Sequence, residues 1–234
     1  MDDPLSLPST LTPLPEIKTA GTTTLSFSGL LNPPLILHED LQTGCGGQIW
    51  PAGEVLATYM LRRHRDTLME KTIVELGAGG GLAGLAIALG CGITSPPLLI
   101  TDQEAMYPLM LKNIALNNLQ SRVQPHIYNW GAPPPPSIPA YPSIILAADC
   151  VYFEPAFPLL LSTLQDLLGP SSVCFFCFKK RRKADMHFVK SVRKAFDVRE
   201  VMDDPDQEVW SRQGLFLYEI RRKPEKGGKG AAER

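Results

Sequence analysis

Residues 72–84 read TIVELGAGGGLAG, and they decide the fold. Three β-competent residues, Thr72, Ile73 and Val74, lead into Glu75-Leu76, then glycines stand at 77, 79, 80, 81 and 84. A short apolar run that stops at a glycine turn is a buried strand entering a tight loop. The small residues from Gly81 to Leu89 predict a closely packed helix after it. Working outward, the pattern repeats. Strands are expected at Leu98–Thr101, Val123–Tyr128, Ser143–Ala148 and Ser172–Phe178, with helices at Glu104–Asn117, Phe157–Leu168 and Asp185–Phe196 between or after them. Upstream lie a helix at Ala52–Arg65, opened by Pro51, and two short strands at Thr24–Phe27 and Leu35–His38. Val198–Met202 and Leu215–Ile220 predict an antiparallel pair joined by the polar segment Asp203–Gln213. Strands alternating with helices through short connections build a mostly parallel α/β sheet, Rossmann-like, with helices on both faces. The two early strands add an N-terminal β-hairpin extension.

The 234 residues are enough for one large domain. It is placed at 17–222, between a proline-punctuated arm over 1–16 and a basic tail over 223–234. Hydrophobic residues make up 44% and charged residues 20%, which excludes disordered and fibrous classes. A net charge of -1 gives no footprint for stable nucleic-acid binding. The chain is expected to act as a monomer. Leu76 to Thr101 carries no charge, but Gly90, Gly92 and Pro96-Pro97 would break a spanning helix, so no membrane segment is expected. Five cysteines, an odd number in a chain of this size, point to a reducing compartment, the cytoplasm.

In parallel sheets ligands sit beyond the carboxyl ends of the strands, so the residues just after each strand carry the functional reading. After the first comes Glu75-Leu-Gly77-Ala78-Gly79-Gly-Gly81, where glycines let a ligand approach the backbone and helix N–H groups can meet an anion. Gly79 to Gly84 also satisfies the dinucleotide spacing G-x-G-x-x-G, two residues late relative to the strand end. After the second comes Asp102-Gln103; a carboxylate here can accept a ribose diol, or cap the following helix. After the third comes Asn129-Trp130-Gly131, with an indole that could stack on a base or plug the core edge. After the fourth comes Ala148-Asp149-Cys-Val-Tyr152.

These motifs, with Gly47-Gln-Ile-Trp50-Pro-Ala-Gly53 ahead of them, occur in an order that resembles the seven-β-strand methyltransferases of family 16, over roughly residues 20 to 221. The resemblance implies S-adenosylmethionine as cofactor and a protein lysine as methyl acceptor. Gly77, Ala78 and Gly79 would cradle the methionine part, flanked by Glu75. Asp102 and Gln103 would hold the ribose, Asn129 and Trp130 would border the adenine, and Ala148 would touch the cofactor through its backbone. Trp50 would close the site, and Asp149 and Tyr152 would face the incoming amine. Within the family the likeness runs to fungal enzymes that act on translation elongation factor 1-alpha. A methyltransferase for nucleic acid or a small molecule, a nicotinamide-dependent oxidoreductase and a non-catalytic binding module are the rivals.

Cys174 and Cys177 form C-x-x-C, but within a strand they face opposite sides and are read as core rather than metal ligands. His38, His64, His126 and His187 show no ligand spacing, and no G-x-S-x-G elbow is present. The basic run Lys179–Lys183 is either a solvated strand end or a rim that meets an acidic surface.

Overall fold

A computed structural model of the chain describes residues 20–224. The arm over 1–16 and residues 225–234 of the basic tail lie outside the described residues. Seven strands form one sheet: β3 Ile73–Leu76, β4 Leu98–Asp102, β5 Val123–Ile127, β6 Ile144–Ala148, β7 Val173–Lys179, β8 Phe196–Glu200 and β9 Leu215–Arg222. Their order is β5-β4-β3-β6-β7-β9-β8, with β9 the one reversed strand. The chain runs outward from β3 through β4 to β5, then returns to the other side of β3 as β6. The strand order therefore reverses between β3 and β6, which opens a crevice at their carboxyl ends.

The period-two side-chain alternation sorts two cores. Helices α1 Pro51–Arg63, α2 Leu82–Gly90 and α3 Tyr107–Leu116 pack with Ile73, Ile100, Leu146 and Phe175 on one face. Helices α4 Phe157–Leu167 and α5 Lys183–Ala195 pack with Val74, Leu76, Ile145 and Phe176 on the other. Cys177 belongs to the first core and Cys174 to the second, so the C-x-x-C pair is split by the sheet.

Several boundaries move for local reasons. The first hairpin strand, β1, is Gly21–Leu25, displaced from Thr24–Phe27, because Phe27, Ser28 and Gly29 take left-handed φ of 51°, 55° and 84° in the turn. Its partner β2, Leu35–Glu39, pairs antiparallel with it. The helix expected from Glu104 begins as a 3₁₀ turn and becomes α-helical at Tyr107; Pro108 has no N–H to continue a helix and is tolerated in its first turn. The segment Asp203–Gln213 contains a short helix, α6 Gln207–Arg212, and its buried Asp204 accepts from Arg62 of α1 at 2.9 Å.

The hairpin is fixed to α3 by two asparagines one helical turn apart. Asn117 Oδ1 accepts the Ile36 N–H (2.8 Å) and its Nδ2 donates to the Ile36 carbonyl (2.7 Å). Asn113 does the same for His38, at 2.8 and 3.1 Å. Residues i and i+4 of a helix lie on one face, and residues two apart in a strand share an edge direction, so the two side chains mimic a neighbouring strand. Asn113 Nδ2 also donates to the Gly80 carbonyl at 2.9 Å, which ties the hairpin to the glycine loop.

Candidate active site

The loop after β3 is built from left-handed glycines: Gly77, Gly79 and Gly81 have φ of 63°, 55° and 89°. A Cβ on Gly77 would lie 2.8 Å from the Trp130 ring, and one on Gly79 would lie 2.4 Å from the Gly46 carbonyl oxygen. Both positions need glycine for conformation and for close approach. The register set by the strand end is thus the one the backbone uses. Gly84, which completes the dinucleotide spacing, lies inside α2, where a Cβ would strike Glu75 and Ile100. It is a packing glycine.

Glu75 is 2% exposed, and its Oε2 accepts the Gly84 N–H at 2.9 Å in the first turn of α2. Burial pushes its carboxyl up to about 8, the Gly84 N–H opposes the shift and the Asp102 charge adds to it. Burial therefore favours the protonated form of Glu75, which anchors the helix behind the cradle. Asp102 ends β4. Its Oδ2 accepts the Gly79 N–H and its Oδ1 the Gln103 N–H, both at 2.7 Å. Burial raises its pKa against these two donors. Each oxygen keeps a second lone pair for a further donor.

A third wall comes from the N-terminal segment. Two 3₁₀ turns, Leu41–Thr43 and Cys45–Gly47, bring the Gly46 carbonyl over Gly79. Glu39 accepts the Ile49 N–H at 2.8 Å, next to Trp50, and the Trp50 indole N–H donates to the Cys45 carbonyl at 2.9 Å. Trp130 lies against Gly77, and Gly131 beside it donates to Thr163 Oγ1 of α4 at 2.9 Å.

Asp149 follows β6 with a left-handed φ of 56°, a strained conformation that Asp tolerates better than most residues. Its N–H continues the ladder to the Cys177 carbonyl (2.8 Å), and its Oδ1 accepts the Lys179 N–H (3.2 Å). The carboxylate is nearly buried and is gripped by Arg181: Nη1 donates to Oδ1 at 2.8 Å and Nη2 to Oδ2 at 2.6 Å. The guanidinium carbon also lies 5.0 Å from the centre of the Trp50 ring, within cation–π range. The aromatic face that meets a cation here is therefore that of Trp50. The Tyr152 ring is half exposed at the rim, while its hydroxyl contacts the Cys45 thiol; desolvation and Cys45 push the phenol up to about 12, so it stays protonated. The Cys150 thiol is buried, donates to the Leu76 carbonyl at 3.3 Å and is raised well above its usual value by burial.

Every site residue expected from the sequence, from Trp50 through Glu75, Gly77, Ala78, Gly79, Asp102, Gln103, Asn129, Trp130 and Ala148 to Asp149 and Tyr152, lines one cavity of about 650 Å³. That volume is ordinary for a cofactor cleft. Cys45 and Gly46, which carry no sequence signal, line it as well, and so does Arg181, which the sequence places only within the basic run Lys179–Lys183. The basic run is not a uniform strip: Arg181 turns inward to Asp149, and Arg182 pairs with Asp185 at 3.1 Å.

The cavity fits S-adenosylmethionine. Gly77 and Gly79 leave a cradle that side chains would fill, Asp102 offers free lone pairs for a ribose, and Trp130 gives an apolar wall for a base. When bound, that cofactor supplies a methyl group on a sulfonium leaving group.

A lysine methyltransferase family model matches residues 30–195. The chain is 37% identical over 227 residues to the protein-lysine N-methyltransferase EFM6 of Saccharomyces cerevisiae, covering 87% of this chain and 92% of that one. It is 32% identical to the protein N-lysine methyltransferase METTL21A of Danio rerio (84% and 89% covered). It is 28% identical to the EEF1A lysine methyltransferase 3 of Xenopus tropicalis (74% and 75% covered). Among solved structures, an O-methyltransferase family protein from Burkholderia thailandensis superposes with a TM-score of 0.56 at 12% identity, over 75% of this chain and 56% of that one, a likeness of fold. With this topology, this cavity and these relatives, the chain belongs to the lysine methyltransferase family and is a protein-lysine N-methyltransferase that depends on S-adenosylmethionine.

Proposed function

We propose that the protein methylates a lysine of translation elongation factor 1-alpha in the cytoplasm, acting as a monomer, with Asp149 orienting the target amine and Tyr152 bordering it at the rim. The observation that carries the site assignment is the nearly buried Asp149 carboxylate, which binds a cation inside the same cavity as the glycine cradle. The substrate reading is supported by the relative from Xenopus tropicalis, whose name specifies EEF1A. The compartment reading is supported by five free cysteines, four of them buried.

A lysine with an ordinary pKa of about 10.4 is neutral in roughly one copy in 2,500 at pH 7, a deficit of about 4.6 kcal/mol. Desolvation by the cavity walls recovers part of this. Asp149, already bound to a cation in this cavity, serves by fixing the nitrogen lone pair along the reaction line while water takes the proton. Bound S-adenosylmethionine would supply the methyl group to the nitrogen that Asp149 holds in line, with its sulfonium sulfur as the leaving group.

The test uses Asp149→Ala and Asp149→Asn with recombinant elongation factor 1-alpha and a labelled methyl donor. Transfer is expected to fall at least about a hundredfold, as for loss of a positioning group, with cofactor affinity by calorimetry unchanged within a few-fold. Loss of both together would make Asp149 a cofactor or folding residue. Label in lysate on a different protein would refute the substrate.

A further inference from the structure

Asp149 and Trp50 together form a cation site, a carboxylate set beside an indole face, and the chain fills that site with its own side chain. Asp149 Oδ1 keeps the Lys179 N–H as a second donor, whereas among the described residues Oδ2 accepts from Arg181 Nη2 alone. Removing the guanidinium therefore frees Oδ2 while the carboxylate stays oriented by backbone. The Arg181 backbone is itself pinned, since the N–H groups of Arg181 and Arg182 both donate to Asp185 Oδ2, at 2.7 and 2.8 Å. Only the side chain has to turn, and it is one-third exposed.

Resting on the reading of Asp149 as the residue that orients the amine, we propose that Arg181 is an internal stand-in for the substrate lysine: its guanidinium occupies the place of the target ammonium and leaves by cation-for-cation exchange as the lysine enters. A nearly buried carboxylate stripped of its paired cation is costly, so the guanidinium departs when another cation arrives. The exchange makes entry selective for a positively charged side chain and keeps the acceptor place closed between turnovers. Arg181 is a positioning and specificity residue here, not a catalytic one.

The decisive variant is Arg181→Lys. A lysine at this position is shorter than arginine and sets its amine about where the guanidinium carbon lies, against Oδ2 and over the Trp50 ring. It should become a substrate in its own right: its neutral nitrogen takes the methyl group, the carbon–sulfur bond of the donor breaks, and one proton per methyl passes to solvent. Mass spectrometry of the variant incubated with S-adenosylmethionine should find methylation at position 181, at a rate per enzyme unchanged on dilution. Arg181→Met, which keeps the stem and removes the competing cation, should lower KM for the protein substrate by about two- to fivefold, the scale of a partly exposed ion pair. An Arg181→Lys protein that methylates its substrate but carries no methyl at 181, or an Arg181→Met protein with raised KM, would overturn the exchange and leave Arg181 a fixed part of the wall. Asp149→Asn separates the two readings: activity that survives it removes the assignment of Asp149, whereas an inactive Asp149→Asn beside an unmethylated Arg181→Lys removes the exchange alone.

Discussion

Glu75→Gln should change how stability depends on pH. The folded carboxyl is pushed from an ordinary 4.5 to about 8 by burial. Between those values the native state holds a proton that the unfolded chain has released. Stability from this group is complete below about pH 4.5 and is lost as pH rises through about 8. The full displacement corresponds to a ceiling on the order of 5 kcal/mol. At about 2–4 °C per kcal/mol for a chain of this size, that is a fall of roughly 10 °C or more in melting temperature across the range. Glutamine keeps an oxygen for the Gly84 N–H and has nothing to titrate. The assay is thermal unfolding of both proteins from pH 5 to about pH 8.5, read as the difference between them, so that other titrating groups cancel. The wild type is expected to lose ground steadily against the variant as pH rises, while cofactor affinity at neutral pH stays within a few-fold. Parallel pH curves would refute the reasoning, because they would mean that Glu75 is charged throughout and the buried carboxylate is compensated.

Gly79→Ala puts a Cβ into the Gly46 carbonyl at a left-handed φ; the overpacking should cost about 2 kcal/mol, appearing as roughly a thirtyfold weaker cofactor Kd by calorimetry, since the 3₁₀ turn can yield more easily than the sheet. Asn113→Ala leaves the His38 N–H and carbonyl and the Gly80 carbonyl without their partner; unfolding should become easier by roughly 3 kcal/mol, with a fall in Tm of about 9 °C and a weaker cofactor Kd.

The sheet was legible because its signals are periodic and dense. Buried strands such as Val173–Lys179 carry an apolar run up to their last residue, and β4 and β6 stop at Asp102 and Ala148, which line the crevice. What escaped is what periodicity does not encode. Helix α6 is short and polar, so its sequence looks like a loop. Asn113 and Asn117 look like the solvent side of a helix, yet they serve as a substitute strand for β2, a role visible only once the hairpin is placed in space. The basic run was read as a composition, which averages five residues that point different ways; Arg181 became distinct only when the left-handed turn at Asp149 set a buried carboxylate beside it. Glu75 sat in the right motif, but its side chain is turned under the loop toward the start of α2.

These features divide the cavity into a stiff part and a yielding part. The glycine loop is tied to the sheet through the Ala78 N–H on the Thr101 carbonyl, to the hairpin through Asn113, and to Asp102 through Gly79. The wall above it closes on itself where the Asp40 N–H meets the Gly47 carbonyl at 2.8 Å, and it is held at Ile49 by Glu39. Groups anchored through several backbone hydrogen bonds do not open without breaking all of them together, so the cofactor half resembles a preformed socket. Across from it, the Arg181 guanidinium depends on contacts that a single side-chain rotation releases, and it borders solvent. On the proposed reading of Asp149, rearrangement on substrate entry is therefore concentrated in the Arg181 side chain, between Asp149 and Trp50. On the same reading Asp102 and the glycines would hold the methyl donor in one pose throughout, and alignment, the main source of rate for this displacement, would be preserved while the acceptor is exchanged.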